Sequence, residues 1–367
     1  MKLRPTHLAL VWTLVSGGLF PHAQTPAADP ALTPFPPPTG THVVGTCARL
    51  LTDPSRSNRF RVATNSSFLV TVWYPAQAES GSLTRAAFVP YCARPLAERG
   101  AYWGALTNRV PALLSRARTH APLAGSPTPF PVVLYSHGLG DKEGRAVRTE
   151  NTDKAQQLAS HGFVVVACDH TDTYGTVLPP DRLVLGGNVW SFDFLEDRVR
   201  DVAFLLDRLA QWNVDDPVFK GQLDLDRIGI MGWSWGGCTA AEACRREPRL
   251  KAAVLLDGYF RSVPTLLTSG LAKPVLAMTT TNGSPDNTTL FDHSHRDAYQ
   301  LCIRGATHDT FTDCAWIVNA SAASRQQALA MNACLLSFFN KHLRGTDDGL
   351  LNDPGSLHPD VISLRKK

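Results

Sequence analysis

The sequence contains no CxxC pair and no HExxH string, so it gives no support to a metal site. Beyond its N-terminus it has no run of about 18 apolar residues, which leaves no candidate for a helix crossing a membrane. Charge of one sign is equally scarce. Lys and Arg number 36 against 32 Asp and Glu, a formal +4. Without Lys2 and Arg4 the balance is 34 to 32, so nothing points to nucleic acid as a partner. Internal repeats are also absent, which argues against a solenoid or propeller. What remains is 367 residues, 44% hydrophobic and 19% charged, enough to bury one large core with the profile of an ordinary globular protein.

A basic start, an apolar run from Leu8 to Phe20 and small residues at Ala23 and Ala27 have the layout of a secretory signal peptide over residues 1–23, an uncleaved anchor being the alternative. Export to the periplasm or the medium is the expectation. Residues 24–40, rich in Pro, Ala and Thr, read as a linker. In an exported chain the eight cysteines suggest some disulfides, although about 105 full pairings exist. Cys302 and Cys314 bracket His308 and are candidates to staple its loop. Cys168, Cys238 and Cys244 fit buried free thiols.

Alternation and β-branched residues around Val43 to Leu51 and Phe68 to Tyr74 predict an antiparallel pair at one sheet edge. From Ala101 to Arg116, Tyr102, Trp103, Leu106, Val110, Leu113 and Leu114 share one helical face, suited to packing on the body or, alternatively, to an acyl-pocket wall or a lipid surface. Five short apolar runs follow, Pro131 to Tyr135, Phe163 to Cys168, Arg227 to Met231, Ala252 to Leu256 and Pro274 to Met278, and they suit strands buried on both faces. Helical patterns separate them at Val147 to Ser160, Phe194 to Trp212 and Trp235 to Arg246. This alternation predicts a doubly wound, mostly parallel α/β sheet with helices on both faces. A last strand near Tyr299 to Arg304, a helix from Ser324 to Leu343 and a loose polar tail over 346–367 complete the reading.

The strand Arg227 to Met231 runs into Gly232-Trp233-Ser234-Trp235-Gly236 and then a helix, the context of a nucleophile elbow. There Ser234 takes a strained turn that neighbouring glycines permit; a glycine-rich turn with a structural serine is the alternative. A serine nucleophile needs a base, and the base needs a carboxylate. Asp257 ends the next buried strand, at Leu255-Leu-Asp-Gly258, and is the candidate acid over a solvated turn residue. Of the histidines that follow it (His293, His295, His308, His342 and His358), His308 sits in the loop after the last strand and is the candidate base. His137 and His161 read as structural. The backbone N–H groups of Trp235 and of Leu139, within the glycine-rich Ser136-His-Gly-Leu-Gly140, are the candidate oxyanion hole, with a plain strand-to-helix turn as the alternative for the second.

These strings, together with Leu158-Ala-Ser-His-Gly-Phe-Val-Val-Val-Ala-Cys-Asp-His170 and Arg304-Gly-Ala-Thr-His-Asp-Thr-Phe311, resemble the platelet-activating-factor acetylhydrolase family of secreted-type esterases from about Gly45 to Leu343. The resemblance implies an α/β-hydrolase fold over residues 41–345, the triad Ser234, Asp257 and His308, oxyanion donors at Leu139 and Trp235, and no cofactor or metal. It also implies calcium-independent hydrolysis of short or oxidised acyl groups from phospholipid-type esters; lipid-interface contact near Trp103 rests on the apolar helical face alone. The chain departs from the family in carrying Trp on both sides of Ser234, where His before and Phe after are more usual. Gly-Trp-Ser is also similar to bacterial cutinase-like polyester hydrolases. A bulky Trp235 is expected to favour small acyl groups. The rival from another class is a non-catalytic binding protein on the same fold.

Overall fold

The computed structural model describes residues 36–57, 65–79, 85–87, 114–139, 147–170, 175–178, 182–185, 193–318 and 321–367. Its strands in chain order are β1 (Val43–Ser57), β2 (Asn65–Ala76), β3 (Arg85–Ala87), β4 (Leu114–Thr119), β5 (Phe130–Ser136), β6 (Val164–Cys168), β7 (Gly175–Leu178), β8 (Arg182–Leu185), β9 (Leu223–Trp233), β10 (Leu250–Leu256), β11 (Val275–Thr280), β12 (Ala298–Ile303) and β13 (Val361–Lys366). The helices are α1 (Thr152–Ser160), α2 (Asp193–Asp215), α3 (Trp235–Arg246), α4 (Pro264–Ser269), α5 (Pro285–His293), α6 (Asp313–Val318) and α7 (Ala322–Phe339). A π-helical turn over Asn340–Arg344 prolongs α7.

Eleven of the described strands form one sheet in the order β13-β12-β11-β10-β9-β5-β6-β2-β1-β4-β3, and β7 and β8 pair separately as a hairpin. From β12 to β6 the six central strands run parallel. Side chains alternate across the sheet as strand geometry requires. Val132, Leu134, Ile228 and Ile230 join the helix side chains Leu206 and Cys238 in one apolar layer, while Val133, Tyr135 and Met231 join Leu158, Leu335 and Phe338 in the other. Burying each of the larger side chains contributes about 1.5–3 kcal/mol, so both layers are needed to hold the helices on the sheet. The neighbours of β5, namely β6 and β9, lie on its opposite sides. Chain leaving the carboxyl ends of β5 and β9 therefore diverges there, which opens the crevice where ligands of open α/β sheets bind.

The central strands and the helices α2, α3 and α7 lie where the sequence places them. Four expectations need correction. The β1/β2 pair is antiparallel but not at the edge, because β4 and β3 extend the sheet beyond it. The expected helix over Ala101 to Arg116 does not reach its end: Leu114, Ser115 and Arg116 belong to β4, where exposure alternates with period two. Its body, with Trp103, lies outside the described residues, as do residues 1–35 with the leader and most of the linker. The helix predicted from Val147 starts only at Thr152; before it the chain turns, with the N–H groups of Val147 and Arg148 donating to the side chains of Glu150 and Asp169. The tail expected to be loose closes the sheet as β13, paired antiparallel with β12 from Tyr299↔Lys366 to Ile303↔Val361.

Six cysteines, Cys47, Cys168, Cys238, Cys244, Cys302 and Cys334, are free thiols, so the proposed staple of the His308 loop through Cys302 is not formed. Cys238 and Cys244 are buried as expected, and burial pushes the Cys244 thiol up to about 12. Among the described residues no helix is long and apolar enough to cross a membrane.

Candidate active site

β9 ends in the elbow. Ser234 sits at φ 54° and ψ −119°, a conformation that costs a non-glycine residue energy and persists only where the surroundings enforce it. The enforcement is visible. Ser234 N–H donates to the Leu256 carbonyl of β10 at 2.9 Å, and its own carbonyl accepts from Gly237 N–H at 3.0 Å and Tyr259 N–H at 3.3 Å. A Cβ at Gly232 would stand 2.0 Å from the Gly236 oxygen, and one at Gly236 would stand 2.0 Å from the Ser136 oxygen. The two glycines are therefore what lets backbone meet backbone here. Ser234 is half-buried at the N-terminus of α3, where the helix dipole favours negative charge.

β10 carries Asp257 to the same sheet edge. Its φ is also positive, 45°, and its N–H donates to the Met278 carbonyl of β11 at 2.7 Å. Asp257 Oδ2 lies 2.6 Å from His308 Nδ1, and Oδ1 accepts from Thr280 N–H at 3.4 Å. The carboxylate is largely enclosed while the imidazole is 47% exposed. A carboxylate on Nδ1 holds the proton there and leaves Nε2 as the acceptor.

His308 opens a single 3₁₀ turn, His308–Phe311, capped reciprocally by Thr307 and Thr310 and anchored by buried Phe311. Trp233 reaches the same turn from the elbow. Its Nε1–H donates to the His308 carbonyl at 3.0 Å, and the two rings lie 4.8 Å apart at 34°. The same indole fills the space where a Cβ on Gly138 would stand, 2.4 Å away. One side chain thus spaces the β5 loop, the elbow and the histidine turn.

The β5 loop is held from beneath by buried polar groups. Gly138 N–H donates to Glu150 Oε1 at 2.9 Å, and Tyr135 Oη donates to the same oxygen at 2.5 Å. Burial pushes the Glu150 carboxyl up to about 8. Arg198 of α2 donates to the carbonyls of His137 and Gly138 at 2.7 and 3.0 Å. Ser136 Oγ lies 2.8 Å from His170 Nε2, and His170 Nδ1 lies 3.0 Å from Asp201 Oδ2, all three side chains being buried. Leu139 is half-buried, and its N–H has no partner among the described residues.

The structure thus brings Asp257 and His308 into contact and sets Ser234, Leu139 and the first residue of α3, Trp235, at the same carboxyl end of the sheet. Trp235 is buried in the apolar layer that includes Cys238 and Leu266. The other histidines lie elsewhere: His295 bonds the Ser269 carbonyl, His342 packs on Phe338, and His161 bonds Thr39. Sequence reasoning missed Trp233 as a spacer and missed Glu150, Arg198 and His170 altogether. Arg198 and Asp201 carried a usable signal, since polar residues three apart on the buried stripe of an amphipathic helix need buried partners.

Beside His308 opens a cleft of about 450 Å³ lined by Asp257, Thr280, Thr281, Asn282, Ser284 and Thr307, with the backbone of Gly283, Gly305 and Ala306. Its lining is more polar than apolar. Among the described residues no group of three or more His, Cys, Asp or Glu side chains is arranged to hold a metal ion.

The model of the family "Platelet-activating factor acetylhydrolase, isoform II" matches residues 30–177 and 205–329. Platelet-activating factor acetylhydrolase of Canis lupus familiaris is 23% identical over 219 residues, covering 50% of this chain and 48% of the relative. A protein of Arthroderma benhamiae described as "Probable 1-alkyl-2-acetylglycerophosphocholine esterase" is 26% identical over 272 residues, 64% of this chain and 66% of that one. The chain therefore spans about half the length of the mammalian relative it matches. Among solved structures, a ferulic acid esterase from Streptomyces cinnamoneus superposes with a TM-score of 0.73 at 28% identity, covering 90% of this chain and 97% of its own. With that neighbour and the sheet order above, the architecture is that of an α/β-hydrolase fold.

Proposed function

The chain belongs to the platelet-activating factor acetylhydrolase, isoform II, family, and from that premise we propose that it is an exported serine carboxylesterase acting on short-acyl esters, phospholipid-like ones among them. The observation that carries the reading is the Asp257–His308 pair at 2.6 Å, on loops beside the strained elbow that presents Ser234. Ser234 attacks the ester carbonyl and His308 Nε2 takes its proton, with Asp257 fixing the tautomer and balancing the imidazolium. The N–H groups of Leu139 and Trp235 receive the oxyanion, helped by the α3 N-terminus. The leaving alcohol departs with the proton from His308, and water then cleaves the acyl-enzyme by the same route.

The family and the acetylglycerophosphocholine esterase relative support a glycerophospholipid-type alcohol as the leaving group. The acetyl-ester relatives support a small acyl group, although Trp235, buried in the apolar layer, does not itself restrict the acyl side. A second reading, an aromatic acyl group or a polyester, is favoured by the broad superposition on the ferulic acid esterase. The test is hydrolysis of p-nitrophenyl esters from acetate to palmitate and of methyl ferulate, with calcium chelated and Ser234→Ala in parallel. Activity confined to short chains and lost in Ser234→Ala is expected. Preference for ferulate would replace the first substrate class by the second, and inactivity of folded protein on every ester would support the non-catalytic binding alternative.

A further inference from the structure

The peptide joining Gly138 to Leu139 is held at its oxygen from two directions. Its carbonyl oxygen accepts from Arg198 Nη2 at 3.0 Å and lies 2.7 Å from His137 Nδ1. The tautomer of His137 follows from its other nitrogen. Nε2 faces the backbone N–H of His170 at 3.0 Å and must accept, so Nδ1 carries the hydrogen and donates to Gly138 O. Two donors, one of them cationic, therefore converge on a single carbonyl. Arg198 is wholly enclosed, with its other Nη donating to the preceding carbonyl, that of His137, at 2.7 Å. Enclosing a guanidinium is expensive unless its donors are used, and here they are aimed at two successive backbone oxygens.

A trans peptide is planar, with C=O and N–H pointing in opposite directions. Clamping the Gly138 oxygen therefore aims the Leu139 N–H away from α2. A charge-assisted bond to the carbonyl also polarises the peptide and makes that N–H a better donor. We propose that Arg198, acting through the Gly138 carbonyl with His137, is a positioning residue that orients and polarises the Leu139 N–H for the oxyanion of the reaction. This rests on the serine-esterase reading and deepens it. His170 takes part indirectly: its N–H sets the His137 tautomer, and its ring is held between Ser136 and Asp201.

The test uses the full chain, with wild type and Ser234→Ala measured first on p-nitrophenyl acetate. An inactive wild type would overturn the esterase reading and this proposal with it; an active one isolates the proposal. Arg198→Lys keeps the charge but not the fork, and His137→Phe removes the other donor to the same oxygen, so either variant alone can decide if the other fails to fold. In cooperatively folding variants kcat is expected to fall about 10- to 100-fold with KM within about twofold, somewhat less than the loss of a whole oxyanion donor. A trifluoromethyl ketone, whose adduct places an oxyanion in the same hole, should lose affinity by a similar factor. Unchanged kcat in a folded variant would overturn the proposal. So would a fall in kcat with ketone affinity intact, the pattern of a merely structural arginine.

Discussion

Replacing Gly236 by alanine tests whether the elbow and the β5 loop form one unit. The new Cβ would lie 2.0 Å from the Ser136 oxygen and 2.5 Å from the His137 oxygen, both backbone atoms with no rotamer to escape into. An ordinary contact begins near 3.4 Å, so the β5 loop has to recede by about 1.4 Å or α3 has to tilt away from it. Either shift separates the N–H of Leu139 from that of Trp235. A misplacement of about 1 Å commonly costs about 100-fold in rate, so kcat/KM for p-nitrophenyl acetate should fall by at least that factor. Stability should fall less steeply, by about 1–3 kcal/mol, since overpacking strains one contact while the strands beneath remain paired. The assay compares steady-state kinetics with urea unfolding on the same preparation. A Gly236→Ala protein with kcat/KM within about threefold of wild type would refute the reasoning, because it would show that the hole tolerates a displacement its geometry forbids.

Trp233→Phe keeps a ring beside His308 but loses the 3.0 Å bond to its carbonyl. With a net hydrogen bond worth about 1 kcal/mol, kcat should drop about fivefold to tenfold while KM barely changes, and an unchanged kcat would show that the turn holds without the indole. His342 offers a test of acid stability. Burial against Phe338 and Tyr299 pushes its imidazole from 6.5 down to about 4, with the Asp297 carboxylate at 4.0 Å opposing only part of that shift. Between those values the unfolded chain binds a proton that the folded one does not. The contribution is therefore complete above pH 6.5 and is lost as pH falls towards 4. Allowing for solvent screening, it amounts to about 1–2 kcal/mol. Urea midpoints at pH 7 and 4.5 should converge in His342→Phe relative to wild type, and an equal acid loss in both would reject the assignment.

The parts of the fold that the sequence displays are those where burial is uniform. Val132 to Tyr135 and Val254 to Leu256, short and apolar throughout, suit strands covered on both faces, and their alternation with helical stripes implies the parallel order. Edges are harder to read, because an edge strand is half solvated and its pattern is weak. Leu114 to Thr119, one strand in from the edge and with two arginines, and the edge strand Val361 to Lys366, with Arg365 and Lys366, look polar, yet both join the sheet through backbone hydrogen bonds that no side chain announces. The site divides in the same way. Ser234, Asp257 and His308 stand out because each follows an apolar run at a strand's carboxyl end, and the structure pairs the latter two as expected. The supports did not stand out. Glu150 is a charged residue in a segment that resembles a solvated helix face, and although Arg198 falls on the buried stripe of α2, only the three-dimensional packing reveals that the two hold Gly138 from either end.

The central claim is that Ser234 becomes the acylated nucleophile. Intact-mass spectrometry of the protein treated with a fluorophosphonate, and of a brief reaction with p-nitrophenyl acetate quenched in acid, tests it directly. A single adduct that maps to the elbow peptide and is missing from Ser234→Ala is the predicted result. An adduct that persists in Ser234→Ala, or ester turnover that survives the substitution, would contradict it.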